Sequence, residues 1–513
     1  MMFKRSSGIL LHPTSLPGKY GIGTLGVEAR EWIDFLSTSA QTLWQILPLG
    51  PVGLGNSPYQ CFSAFAGNAL LIDLEALKAM ELLDEDDLHI SETFDPHRVR
   101  YDAVIEHKTA LLKQAFENFD PENAADWERF ESDNAFWLDE YALFMALREH
   151  FGNVSWLQWD TRVRLRDEQT LEGYRRRLKK LIDYEKFVQY LFFKQYTALK
   201  AYANDKGIRI VGDIPIYVSL ESADVWSHQH LFLLEPDGSP TYVAGVPPDY
   251  FSTTGQRWGN PIFDWEAMQK EGFSWWLKRL QSAFELYDYT RIDHFRGFEA
   301  YWSIPSNENT AIKGTWIKGP GKAFFDALSE HFDTLPIIAE DLGVITPEVE
   351  ALRDAYALPG MKILQFAFDS DAGNGYLPHN VIKNCIYYTG THDNNTVLGW
   401  FYGEEGTHKL KQHAMEYLKA EEHSIHWDFI RAVFGSVADV AIVPLQDVLG
   451  FGGDTRMNTP GTAFGNWEWR YESYMLSSEL QQRLLHVTQL YGRQSAVEPK
   501  VENNAASDEK EVQ

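Results

Sequence analysis

Eight short runs rich in β-branched and aromatic residues recur along this chain, and amphipathic helical patterns lie between many of them. The runs begin with Gly8–Pro13, Thr42–Leu49, Ile208–Ile216 and Tyr289–Phe295, and continue with Pro336–Leu342, Met361–Phe368, Tyr387–Asp393 and Val440–Gln446. Strand and helix in alternation argue for a parallel sheet, and eight such strands are what a closed barrel needs. The expected fold class is therefore α/β, a (β/α)8 TIM barrel. Between the runs, Glu28–Leu36 and Gly321–His331 repeat apolar residues at helical spacing.

Two stretches break the alternation. Residues 52–207 hold amphipathic runs such as Asp102–Leu112 and Glu185–Lys194 without a clear strand, and read as a largely helical insertion after the second strand. Residues 219–280 are rich in aromatic and turn residues, including Pro247–Phe251 and Gly255–Pro261, and read as a second, loop-rich insertion. Insertions after barrel strands sit on the catalytic face. The expected organisation is one catalytic barrel over 1–494, interrupted by 52–207 and 219–280. A polar, aperiodic tail over 495–513 is expected to be disordered.

Three of the eight runs lead directly into an acid: Asp293, Glu340 and Asp393, spaced 47 and 53 residues apart. Carboxylates at the C-terminal ends of barrel strands converge on one mouth. Breaking a glycosidic bond with retention needs an ionised carboxylate as nucleophile and a protonated one as acid, about 5–5.5 Å apart. Arg291 and Asp293 are two apart and share one side of a strand. A guanidinium there favours an ionised Asp293, suited to a nucleophile, whereas Glu340 follows Ile337-Ile338-Ala339, surroundings that favour its neutral, acid form. Asp213 stands on a further strand. Taken singly, each of these acids is better explained as a helix cap, an ion pair or a surface charge; together they point to a site.

Other signals weigh less. Gly21-Ile-Gly-Thr-Leu-Gly26 matches a dinucleotide fingerprint, yet Pro13, Pro17 and Gly18 separate it from the strand, so it reads as a glycine-rich loop wall near the substrate. The histidines show no metal-binding spacing, so no catalytic metal is expected. His392 reads equally as a core residue or a donor to a sugar hydroxyl. Tyr59 and Trp258 lie in segments rich in Gly, Pro and Asn, where an aromatic face suits ligand contact better than a core. A formal charge of −27 argues against nucleic acid and anionic membranes as partners. Two distant cysteines, Cys61 and Cys385, and no apolar leader or membrane-length run fit the cytoplasm.

The chain resembles the 4-α-glucanotransferases known as amylomaltase or disproportionating enzyme, glycoside hydrolase family 77. The resemblance runs from Gly8 to Trp467, through Asn56–Tyr59, Gly212–Ile216, Gly255–Pro261, Arg291–Gly297, Ala339–Gly343 and Gly390–Asn395. It implies Asp293 as nucleophile, Glu340 as general acid/base and Asp393 as the carboxylate that clamps sugar hydroxyls. It implies substrate contacts by Ser57, Tyr59, Asp213, Asp249, Gln256, Trp258, Arg291 and His392. The implied reaction transfers an α-1,4-glucan segment from one malto-oligosaccharide or glucan to the 4-hydroxyl of another glucan or of glucose, with no cofactor. Alternatives from the same residues are an α-glucan hydrolase, with water as acceptor, and a catalytically silent glucan-binding protein.

Overall fold

The protein is described by a computed structural model covering residues 3–90, 93–248 and 252–494, the side chain of Leu54 excepted. In chain order its strands are β1 (Ser6–Leu10), β2 (Leu43–Gln45), β3 (Arg209–Pro215), β4 (Tyr242–Val246), β5 (Gln256–Pro261) and β6 (Tyr289–Asp293). They continue with β7 (Ala300–Pro305), β8 (Thr315–Lys318), β9 (Ile337–Ala339), β10 (Gly360–Ile363), β11 (Cys385–Tyr388) and β12 (Val440–Pro444). Eight of these form one parallel sheet in the order β10-β11-β12-β1-β2-β3-β6-β9. They are the eight runs anticipated from sequence, and the sheet curls into a barrel whose ends, β9 and β10, meet through Ala339 N–H donating to the Pro359 carbonyl at 2.9 Å.

The barrel strands are apolar because both faces are covered: every residue of β9, β11 and β12 is buried. Helices coat the outside. Val27–Thr38, between β1 and β2, turns Ala29, Trp32, Ile33, Phe35 and Leu36 inward. Burying each large side chain of that stripe contributes about 1.5–3 kcal/mol. Helices Lys179–Asp205, Ser274–Leu286, Gly321–His331, Pro347–Ala355 and Ile425–Gly435 lead into β3, β6, β9, β10 and β12 respectively. Between β10 and β11 the described residues form no α-helix, only the short 3-10 turn Leu364–Phe366.

Residues 52–207 contain the helices Tyr101–Glu117 and Trp127–His150 and the long helix that enters β3. Residues 219–280 are more regular than their composition suggests, since they contribute β4 and β5 to an antiparallel sheet, β5-β4-β7-β8. Its other two strands follow β6. Trp258 thus lies on strand β5 rather than in a loop; Gly255 just before this short, half-exposed strand and Gly259 within it both have positive φ. The glycines at 21, 23 and 26 are buried and serve close packing within the fold: a Cβ on Gly23 would lie 1.9 Å from the Pro13 carbonyl. The tail beyond residue 494 lies outside the described residues.

At the bottom of the barrel two arginines hold the chain's early and late segments together. Arg493, fully buried, donates to the carbonyls of Phe434 (2.7 Å), Ser6 (2.8 Å) and Ala438 (3.1 Å). Arg5 donates to those of Ser436 (2.8 Å), Phe434 (2.9 Å) and Tyr491 (3.0 Å). Both meet the C-terminal end of helix Ile425–Gly435, where unpaired carbonyls and the helix dipole favour positive charge. Among the described residues no helix is long and apolar enough to cross a membrane.

Candidate active site

Strand register builds half of the site. β3 and β6 pair with Asp213 opposite Arg291, and β6 and β9 pair with Ile292 opposite Ala339. Glu340 N–H donates to the Ile292 carbonyl and Phe295 N–H to the Glu340 carbonyl, both at 3.1 Å, so the ladder runs one residue further and sets Glu340 beside Asp293. Neighbouring parallel strands lie about 4.8 Å apart, and register partners point to the same side. Arg291 sits among these acids: its Nη1 reaches both Asp213 oxygens at 2.8 and 2.7 Å, and its Nη2 reaches Asp293 Oδ1 at 2.8 Å. The arginine beside Asp293 is therefore present as the two-residue spacing anticipated. Both members of the Arg291–Asp213 pair are buried, and burial on that scale is tolerable only because each charge has its partner.

Glu340 is 9% exposed. Burial first, and the charge of Asp293 second, push its carboxyl up to about 7, against Arg291 and two backbone N–H groups. Those donors are Leu342 N–H on Oε1 at 2.8 Å and His294 N–H on Oε2 at 2.7 Å. His294 adopts the left-handed region, φ 54°, which turns the chain out of β6 and aims its N–H at the acid. The ring of Trp258 meets the His294 ring edge to face, centroids 4.8 Å apart, and its Nε1 donates to Gln256 at 3.2 Å. This brings Gln256 and Trp258 of the small sheet to His294, whose N–H holds Glu340.

The other half of the mouth is carried by loops. Asp393 lies five residues beyond the end of β11. Burial on its own would raise its pKa, but the charge and hydrogen bond of His392, the Asn458 amide and Arg291 hold Asp393 well below the usual carboxylate range. His392 Nε2 is 3.3 Å from Asp393 Oδ2, Asn458 Nδ2 donates to Oδ1 at 2.7 Å, and Arg456 Nη2 donates to the Asp393 carbonyl at 2.6 Å. From below, Asp447 accepts Thr389 Oγ1–H at 2.6 Å and Val397 N–H at 2.7 Å, pinning both ends of the loop. Tyr59 joins the halves: its hydroxyl donates to Asp213 at 2.7 Å and its ring stacks on His392, centroids 5.2 Å apart. Ser57 Oγ accepts Tyr59 N–H at 3.2 Å and shapes that turn. Asp249 lies outside the described residues.

Sequence reading missed His294, Arg456, Asn458 and Trp467, whose ring lies 5.9 Å from both Tyr59 and His392. The available signal was position: Arg456–Trp467 is a Gly-, Asn- and Pro-containing segment shortly after the eighth barrel strand, where loops reach the mouth.

Comparison with known proteins fits this geometry. A family profile described as 4-alpha-glucanotransferase matches residues 11–477. The chain belongs to the 4-alpha-glucanotransferase family. Among its relatives in that family, 4-alpha-glucanotransferase from Synechocystis is 51% identical over 96% of this chain and 99% of its own. The Thermus thermophilus 4-alpha-glucanotransferase is 48% identical over 94% and 98%. Amylomaltase from Streptococcus agalactiae, solved in complex with acarbose, superposes with a TM-score of 0.93 at 42% identity, covering 96% of this chain and all of that one.

Proposed function

We propose that this family member transfers α-1,4-glucan segments by a retaining double displacement, with malto-oligosaccharides and α-1,4-glucans as donors and glucan or glucose as acceptor. Asp293 attacks the anomeric carbon while Glu340 gives its proton to the departing O4, leaving a glycosyl group bonded to Asp293. Glu340, now ionised, takes the proton of an acceptor 4-hydroxyl as that oxygen displaces Asp293. One α-1,4 bond is broken and one formed, so the exchange is nearly thermoneutral and calls for no nucleotide.

The observation that carries this reading is the register that sets Asp293 and Glu340 side by side on adjoining strands, the placement from which two carboxyls can approach as closely as a retaining pair requires. Arg291 keeps Asp293 paired with positive charge, while a Glu340 poised at about 7 can both give and take a proton. Asp393 is the fixed anion that clamps sugar hydroxyls. His392 and Tyr59, stacked together, Asp213 and Arg291 form the wall around the transferred sugar, with Ser57 supporting it. Gln256, Trp258 and Asp249 shape the adjoining glucan subsites. The strongly acidic surface keeps nucleic acid and anionic membrane away, and the compartment proposed is the cytoplasm.

Incubation with maltotriose tests the function. Glucose release with a ladder of longer products and constant total reducing ends is expected. Reducing ends that rise with turnover, without a ladder, would make water the acceptor and the protein a hydrolase.

A further inference from the structure

The barrel's ladder has a seam beside the acid. β9 and β10 are the two ends of the sheet, and one of the links between them is not made by backbone alone. At that point the Met361 N–H is accepted at 2.7 Å by Oδ1 of a side chain, Asp341, the residue after Glu340. The other Asp341 oxygen receives Arg353 Nη1–H, and Arg353 Nε donates in turn to Asp354 at 2.9 Å. Asp341 is 3% exposed and Arg353 5%. The space exists because residue 360 is glycine: a Cβ there would lie 2.4 Å from Asp341 Oδ2.

Asp341 stands between two groups that fix the acid. The carbonyl before it accepts Phe295 N–H, and the N–H after it, that of Leu342, donates to Glu340 Oε1. We propose that Asp341, gripped by Arg353 and the Met361 N–H, is a positioning residue for Glu340: it closes the seam and thereby holds the Leu342 N–H against the acid. The inference rests on Glu340 being the general acid. A purely stabilising role is poorly served by a buried ion pair, which apolar residues of similar volume commonly replace without loss. Burial pushes Asp341 up, and the Met361 N–H and Arg353 oppose that push, so the carboxylate depends on the bonds that place it.

The test separates an acid's position from general integrity. Maltotriose needs a proton on its departing sugar oxygen, whereas the fluoride of α-maltotriosyl fluoride leaves with its electron pair as Asp293 bonds to C1, with little need of an acid. Asp341→Ala is expected to lower maltotriose kcat by about 10- to 100-fold, the scale of a displaced catalytic group. KM stays within about twofold and the initial burst of fluoride within about threefold of the parent enzyme. Asp341→Asn, which keeps an acceptor for Met361, lies between Ala and the parent enzyme. Gly360→Ala, which displaces Asp341 without removing it, gives the same selective loss. Circular dichroism melts establish folding, and if Asp341→Ala does not fold the other two variants carry the test.

Equal losses on both substrates, or an undiminished maltotriose kcat in the folded variants, would overturn the proposal. Glu340→Ala is the control. Selectivity in Glu340→Ala without selectivity in the Asp341 variants ends the positioning inference alone. Equal losses in Glu340→Ala end the acid assignment, and the inference falls with it.

Discussion

The two sides of the barrel mouth are built by different means. Asp213, Arg291, Asp293 and Glu340 stand on or directly past three consecutive strands of the sheet, and hydrogen-bond register sets their relative positions. Asp393 stands on a loop, and its place depends on a second loop bringing Asn458 and Arg456 and on Asp447 beneath. The two sides also titrate in opposite senses. Glu340, buried and next to another acid, is driven toward the neutral form; Asp393, beside a histidine and an amide, is driven toward the charged form. A strand can hold an acid where burial works against its charge, whereas the loop anion sits among donors that favour its charge.

The strongest challenge to this contrast is removal of the ladder-borne acids. Asp293→Asn is expected to lower kcat by about 10⁴-fold or more, and Glu340→Gln by about 10²- to 10⁴-fold, in maltotriose disproportionation assays. Next comes the shared cation. Arg291→Met strands Asp213 as an unpaired buried charge, and urea unfolding should show a loss of roughly 3–5 kcal/mol.

The opposite titrations give the third prediction. The native pKa of Glu340, about 7, exceeds its unfolded value of 4.5, so the folded state binds the extra proton between them and stability is lost as pH rises through that window. The unfolding free energy of Glu340→Gln relative to the parent should therefore increase by on the order of 3 kcal/mol between pH 4.5 and pH 7. A flat difference in denaturation at pH 5 and pH 8 would refute it. For Asp393 the sign reverses: its native pKa is depressed, so its contribution is present above the unfolded value and disappears as pH falls below about 4. The smallest effect is expected at the loop. Asn458→Ala removes one donor from Asp393, which stays on its loop, and should cost about 1–2 kcal/mol of transition-state binding, roughly tenfold in kcat/KM.

The same division explains what could be read from sequence. Barrel strands are covered on both faces, so β9, β11 and β12 are continuous apolar runs that stand out in a linear text, and the acids at or beyond their ends stand out with them. The small sheet was hidden because β5 and β8 are short and partly or wholly exposed, with Gly and Pro inside or beside them, so Trp258 looked like a loop residue. Asn458 was hidden for another reason. It acts 65 residues from Asp393, through a neutral amide with no periodicity around it, and only the closed barrel brings the two together. For Glu340 the sequence reading found the direction, but its apolar predecessors are not the whole cause. Two backbone donors oppose the shift, and the charge of Asp293 across the ladder adds to it.

The pairing of the first barrel strand with the last also sets a timetable. β1 has β2 on one side and β12 on the other, and its pairing with β12 joins residues about 430 positions apart. The arginine clamp that seals this junction waits still longer, until Arg493 is made. At synthesis rates of about 5–20 residues per second, β1 spends roughly 20–90 s with one edge unpaired. An apolar strand left open for so long invites pairing with another nascent chain. Arg5 and Arg493 grip the same helix end, so the arrival of the last segment completes the anchorage of the first.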